Sequence, residues 1–401
     1  MRKLRVGVWL FRNIDPQSGG GYGYYQQLIK AINDFNFSNA DIIFLSNKKN
    51  SIKSERIYVI KWRRSYLLHA AVVLTNFLKK FPFIDQVSNA VCSLERRHYH
   101  KLNKELSNRI DVIYYLTPAC IYPTYPYIYT LWDLGYLSTF AFPELSMNHV
   151  YEERKQETDN YLYKALMIFA ESNVGKQEII KYTGIKDERI RVVPIFPSEI
   201  ISDKIEVAKP KDIDIDCFFI FYNAQFWAHK NHYNLLMAFK YLLTEYPDLK
   251  LILTGSDRGN KDYINKLISD LNYSNSIINL GFVTSEELKW LYKNSQGLVM
   301  STFLGPTNIP LLEAAALGCP VACSNLPGHI EELGEYGYYF DPKNPLDIAY
   351  KISEMIKDKQ DGVNKCCKSD FNIKNTLKAI DEAFAEISSI RFCWGEDDDI
   401  Y

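Results

Sequence analysis

Leu304-Gly305-Pro306-Thr307-Asn308-Ile309-Pro310-Leu311-Leu312-Glu313-Ala314 stands between a short apolar run at residues 298–301 and an Ala-rich helical pattern. Gly305, Pro306 and Pro310 shape a turn. Proline in a first helical turn is tolerated because its missing N–H had no partner there. The backbone N–H groups of Thr307, Asn308 and Ile309 are therefore expected to face outward at a helix start, where the dipole favours an anion. Glu313 follows one turn into the helix, placed to accept hydrogen bonds from ribose hydroxyls. A buried strand, an anion-binding turn and a helix together form the repeating unit of a parallel α/β sheet.

The same unit recurs on both sides of this stretch. Apolar runs of four to seven residues at 4–10, 42–45, 112–116, 128–131 and 166–170 alternate with helical patterns. Runs of that size suit strands covered on both faces. A polar, charged segment at 198–216 then interrupts the pattern, which restarts at 217–222 and continues through 249–254, 277–280, 298–301 and 321–324. Thr284-Ser285-Glu286-Glu287 reads as a capping box opening a helix. With 401 residues, at roughly 100–200 per domain, the chain is expected to form two doubly wound, Rossmann-like domains. They cover residues 1–198 and 217–371, joined by a linker at 199–216. A C-terminal helix at 372–390 and an acidic tail at 391–401 follow. Ligands of such sheets bind at the carboxyl ends of the strands, so the cleft between the domains is the expected site.

Composition narrows the function. Hydrophobic residues at 47% and charged residues at 24% exclude a mostly disordered chain. A net charge of −1 argues against a globally basic nucleic-acid binder. The balance hides an asymmetry: residues 48–104 hold 13 Lys and Arg against 3 acidic residues. That segment predicts a basic surface for an anionic partner, such as a membrane surface or a phosphorylated acceptor. No 18-residue apolar run is present, so no membrane-spanning helix is expected. The stretch at 67–78 suits either a surface-lying or a buried helix. Eight cysteines without a CxxC pair, and a start that opens directly into a strand pattern, predict a reducing, cytoplasmic chain.

Further stretches carry chemistry. Ser18-Gly19-Gly20-Gly21-Tyr22-Gly23 follows a strand and opens a helix, as a phosphate-approaching loop does. The dinucleotide pattern GxGxxG fails, because its third glycine falls on Tyr24 from Gly19 and on Gln26 from Gly21. Lys230, within Gln225-Phe226-Trp227-Ala228-His229-Lys230-Asn231-His232, can neutralise a phosphate as a point charge. His229 and His232 lack metal-site spacing and read as packing or polar-contact residues. Asp212-Ile213-Asp214-Ile215-Asp216 has DxD spacing but precedes a strand, and reads as a solvated charge run. No metal and no cofactor is expected.

Several of these stations stand in an order that resembles the family-4 glycosyltransferases. They include Gly19–Gly21, Trp132-Asp133-Leu134, Lys230-Asn231, Leu253-Thr254-Gly255-Ser256, Leu280-Gly281-Phe282-Val283, Pro310-Leu311-Leu312-Glu313-Ala314 and Asn325-Leu326-Pro327-Gly328. The resemblance implies the GT-B fold, two Rossmann-like domains facing across a cleft, with acceptor bound by the first and nucleotide sugar by the second. It implies transfer of a hexose with retention at the anomeric carbon, to a glycan or lipid-linked acceptor of a surface polysaccharide. By the same token Lys230 contacts the diphosphate, Glu313 holds the ribose, and Thr307, Asn308 and Ile309 meet sugar and phosphate. Gly20 and Gly21 close over the diphosphate, Gly255 lies beside the donor, Phe282 and Val283 lie at the base, and Asp133 orients the acceptor hydroxyl.

Three positions depart from the family pattern. Its first glutamate falls on Gly305, its phosphate-partnering arginine on Gln225, and its N-domain histidine on Trp132. The intact turn chemistry of Gly-Pro-Thr-Asn-Ile-Pro marks a subgroup variant. A nucleotide-sugar epimerase of the same fold, and a non-catalytic binding module, are the competing expectations. Location at the inner face of a membrane follows from the basic segment.

Overall fold

The computed structural model describes residues 3–11, 20–47, 54–60, 67, 70–71, 74, 84–122, 124–139, 141–211, 213–214, 217–363, 365, 367 and 370–394. Ser18, Gly19, most of the basic segment before residue 84, Asp212, Asp216, Cys366 and the acidic tail from residue 395 onward lie outside the described residues. Of the stretch 67–78, four residues are described; Leu67 and Leu74 among them are exposed.

Two parallel sheets form the molecule. The first holds β1 (Leu4–Trp9), β2 (Ala40–Ser46), β3 (Ile57–Val59), β4 (Val112–Tyr115), β5 (Tyr127–Leu131), β6 (Met167–Ala170) and β7 (Ile190–Val192). Its order is β3-β2-β1-β4-β5-β6-β7. The second holds β8 (Phe219–Asn223), β9 (Lys250–Thr254), β10 (Ile277–Gly281), β11 (Leu298–Met300), β12 (Val321–Ser324) and β13 (Gly337–Phe340), ordered β10-β9-β8-β11-β12-β13. Every pairing is parallel, as in Val6 opposite Ile42 and Val112, and Ile220 opposite Leu251. Helices cover both faces, so central strands such as β4, β5, β11 and β12 are buried at every position. The order reverses beside β1 and beside β8, and each reversal opens a crevice at the carboxyl ends of the strands.

The expected strands are present with boundaries shifted by a residue or two. The capping box is formed: Thr284 Oγ accepts from Glu287 N–H and the Glu287 carboxylate accepts from Thr284 N–H. The helix Ile84–Ser107 and the short strands β3, β7 and β13 are not among the expected runs. The C-terminal helix, Ile373–Arg391, returns to the first sheet and buries Leu377, Ile380, Phe384 and Ile387 there. Asp381 accepts from the N–H groups of Ser38 and Asn39 at 3.1 and 3.0 Å, and Glu386 pairs with Arg191.

The segment between the sheets is held on the second one. Lys289, almost fully buried, donates to the carbonyls of Ser202 and Ile205 at 2.7 and 2.8 Å. Ile200 and Ile213 enter the second core.

Candidate functional site

Strand β8 ends at Asn223, and a 3-10 turn, Ala228–Lys230, carries the chain to the helix His232–Glu245. Asn231 makes this turn possible. It adopts φ +58°, a conformation asparagine tolerates better than most residues. Its side-chain amide donates to the carbonyls of Ser301 and Pro342 at 2.9 and 2.8 Å, while its oxygen caps the helix. Tyr222 OH holds the Lys230 carbonyl at 2.6 Å. Lys230 Nζ then reaches Asn308 Oδ1, 3.1 Å away.

The facing loop follows β11. Gly305 sits at φ +129°, and a Cβ there would lie 2.5 Å from Asn308 Nδ2. Pro306 packs so closely on the next βα loop that a Cβ on Gly328 would meet its carbonyl oxygen at 1.9 Å. Asn308 precedes the helix Ile309–Ala316, with Pro310 in its first turn. One sequence expectation is corrected here. The Asn308 N–H does not face outward but donates to Glu332 Oε1 at 2.9 Å, because that buried carboxyl lies behind the loop. Thr307 and Ile309 N–H groups have no protein acceptor among the described residues, so these two remain available to an anion.

Glu313 is buried one turn further on. It accepts from Ser198 Oγ and, at 2.8 Å, from Tyr292 OH. Burial pushes its carboxyl above the ordinary range, against the pull of those two hydroxyls. Lys230 is also perturbed: desolvation lowers its ammonium to about 8, opposed by the charge of Asp133.

Two cavities meet at Lys230. The larger, about 1100 Å³, is lined by Gln225, Lys230, Gly255, Phe282, Val283, Asn308, Ile309 and Glu313, and by Tyr22, Gln26 and Lys30 of the first domain. Gly255 has φ +129° and lies against the Ala224 carbonyl, where a Cβ would approach to 2.3 Å. Phe282 is 66% exposed, leaving a bare aromatic face in the cleft. The smaller cavity, about 380 Å³, is lined by Gly21, Trp132, Asp133, Arg154, Glu171, Glu178 and Thr307, and shares His229, Lys230, Asn308, Ile309 and Pro310 with the larger. Gly20 opens the first helix. Asp133 Oδ1 accepts from Gly135 N–H and from Arg154 at 2.7 and 2.8 Å. Gln225 accepts from Trp227 Nε1 at 3.0 Å. Among the described residues no group of three or more His, Cys, Asp or Glu is arranged to hold a metal.

Sequence reading missed the contacts between the two domains. Glu144 of the first domain accepts from His229 N–H at 2.9 Å and lies 2.6 Å from His229 Nδ1. Burial pushes the Glu144 carboxyl up, but His229 outweighs this and holds it below the ordinary range. Thr307 Oγ1 contacts Glu171, and Glu331 accepts from the N–H groups of Asn173 and Val174, both at 2.8 Å. His232, by contrast, is the packing residue expected, stacked 4.6 Å from Phe226.

Residues 203–369 match the family described as glycosyl transferases group 1. An uncharacterized glycosyltransferase of Methanocaldococcus jannaschii is 26% identical over 205 residues, covering 49% of this chain and 52% of that protein. The O-antigen chain mannosyltransferase B of Escherichia coli is 26% identical over 237 residues, covering 55% and 60%. The chain thus spans about half the length of these curated relatives. Among solved structures, a glycosyltransferase from Rickettsia africae has a TM-score of 0.62 at 16% identity, covering 97% of this chain and 99% of that one. Anabaena HepE in complex with UDP-glucose has a TM-score of 0.59 at 18% identity, covering 96% and 99%. These likenesses give the fold, which is GT-B.

Proposed function

Because residues 203–369 are a glycosyl transferases group 1 domain and face a second parallel-sheet domain across a cleft, we propose that the protein is a retaining glycosyltransferase. It moves a hexose from a nucleoside diphosphate sugar to a glycan or lipid-linked acceptor in surface polysaccharide synthesis. The observation that carries this reading is Lys230 at the junction of two cavities, one sized for a donor and the other opening beside it. In the larger, the exposed Phe282 offers a stacking face for a base, and Glu313 has carboxylate lone pairs left for ribose hydroxyls. Lys230, Thr307 and Ile309 all line the smaller cavity, where a diphosphate at the junction would meet them.

The reaction needs little more from the protein. The acceptor hydroxyl, entering the smaller cavity beside Asp133, attacks the anomeric carbon from the side the diphosphate leaves. The new C–O bond forms as the bond to the phosphate oxygen breaks, and that oxygen takes the hydroxyl proton. Lys230 and the loop N–H groups stabilise the negative charge that grows on the leaving diphosphate. This arrangement works without a metal ion. Mannose is the first hexose to assay, since several relatives carry mannosyltransferase names. The helix Ile84–Ser107 exposes Arg97, Lys101 and Lys104 on the same side as Val87 and Leu94. That face suits attachment to an anionic, cytoplasmic membrane surface carrying the acceptor. Among the described residues no helix is long and apolar enough to cross a membrane.

A thermal-shift panel of UDP, GDP, dTDP and ADP, each with and without EDTA, tests the donor site. One nucleotide at about 100 times its Kd should stabilise the protein by about 2.7 kcal/mol, and EDTA should leave the shift unchanged. No shift with any of the four, or a shift abolished by EDTA, would contradict the reading.

A further inference from the structure

The side chain that meets the Lys230 ammonium is an amide, that of Asn308. Asn308 is held at every polar atom. Its N–H donates to Glu332 at 2.9 Å, its carbonyl accepts from Leu311 N–H at 2.9 Å, its Oδ1 accepts from Lys230, and its Nδ2 meets His329 Nε2 at 2.9 Å. His329 is fully buried, and its Nδ1 lies 2.8 Å from the Ser324 carbonyl oxygen.

The chemistry of these contacts fixes one arrangement. A carbonyl oxygen only accepts, so His329 Nδ1 must carry the proton. A neutral ring then presents Nε2 as an acceptor. That acceptor requires the NH2 end of the Asn308 amide. The oxygen end is thereby turned to Lys230. The opposite amide orientation would set NH2 against an ammonium and oxygen against an unprotonated nitrogen, and both contacts would repel. Burial lowers the imidazole to about 4, so the ring stays neutral at working pH. Glu332, Lys230 and His329 are the charged or titratable groups in direct contact with Asn308.

We infer that His329 is a positioning residue for the donor site, acting through Asn308 to hold the Lys230 ammonium where the diphosphate binds. This assignment rests on the donor-site reading of Lys230. It also explains why glycine is required at 305: any Cβ there would displace the amide that His329 orients.

Calorimetric titration of GDP and UDP into the unmodified protein, His329→Leu, Asn308→Ala and the double variant tests it. Each single variant should weaken binding about tenfold, the order of one lost charge-assisted hydrogen bond. The double variant should bind no more weakly than Asn308→Ala alone. His329→Gln, which keeps a side-chain acceptor, should recover most of the loss. Additive losses, or unchanged binding in His329→Leu, would overturn the assignment alone. No binding of either nucleotide to the unmodified protein would sink the donor-site reading as well. Nitrogen-15 spectra of the unmodified protein give a test that survives a variant's failure to fold. They should show His329 neutral with its proton on Nδ1 at pH 7, and a proton on Nε2 would overturn the assignment.

Discussion

Lys230→Ala is expected to lower kcat/KM by on the order of 10²–10³, the loss seen when one preorganised donor to a developing oxyanion is removed. The melting temperature should change little, because the substitution removes a desolvated cation held by one side-chain hydrogen bond. The pH dependence separates this from a packing defect. In the free protein Lys230 loses its proton near pH 8. A bound diphosphate raises that value, so above pH 8 binding must take a proton back. Affinity for the nucleoside diphosphate should therefore be flat below pH 8. Above it, affinity should fall by up to about tenfold per pH unit. Lys230→Ala should erase that fall. Calorimetry at pH 7, 8 and 9 reads both effects, and a fall that persisted in the variant would assign it to another group.

Gly305→Glu makes the second strong case, because it places a glutamate where the family resemblance puts one. Family logic alone predicts a gain. The backbone predicts a loss, since φ of +129° is a conformation L side chains rarely adopt and a Cβ would press on Asn308 Nδ2 at 2.5 Å. Strain of about 1–3 kcal/mol would be relieved by moving the loop, taking Asn308 off Lys230. Activity should fall by roughly 5- to 160-fold, the equivalent of that strain expressed at the barrier. Gly305→Ala should fall comparably, which assigns the loss to backbone geometry rather than to the new charge. Activity at or above that of the unmodified protein in Gly305→Glu would contradict this account of the loop.

Much of the architecture could be read from the sequence because strands covered on both faces form unbroken apolar runs. Val112 to Tyr115 and Val321 to Ser324 have no solvent side to interrupt them. The strand β3 failed that test, since its three residues are only half-buried at an edge. The C-terminal helix was visible as an amphipathic pattern, but its partner was not. Phe384 packs on Phe37 and Tyr114, hundreds of residues away. That Lys230 and Glu313 line one cavity was legible for a local reason, as each follows a strand within one βα unit. His329 was not, because it acts on Asn308 from the neighbouring unit and only the close packing of Gly328 on Pro306 brings the two loops together. The outward-facing N–H expected of Asn308 failed for the same reason, as Glu332 lies on that neighbouring helix. Glu144, Glu171 and Glu331 join the two domains and carry no signal in either half alone.

The anomeric configuration of the product tests the central claim most directly. The protein would be supplied with an α-linked nucleoside diphosphate mannose and a mannose-terminated acceptor, with EDTA present, and the product followed by NMR from the first turnovers. Retention through front-face attack at Lys230 predicts an α-linked product that appears without metal and is suppressed in Lys230→Ala. A β-linked product, or transfer unaffected by Lys230→Ala, would contradict the account.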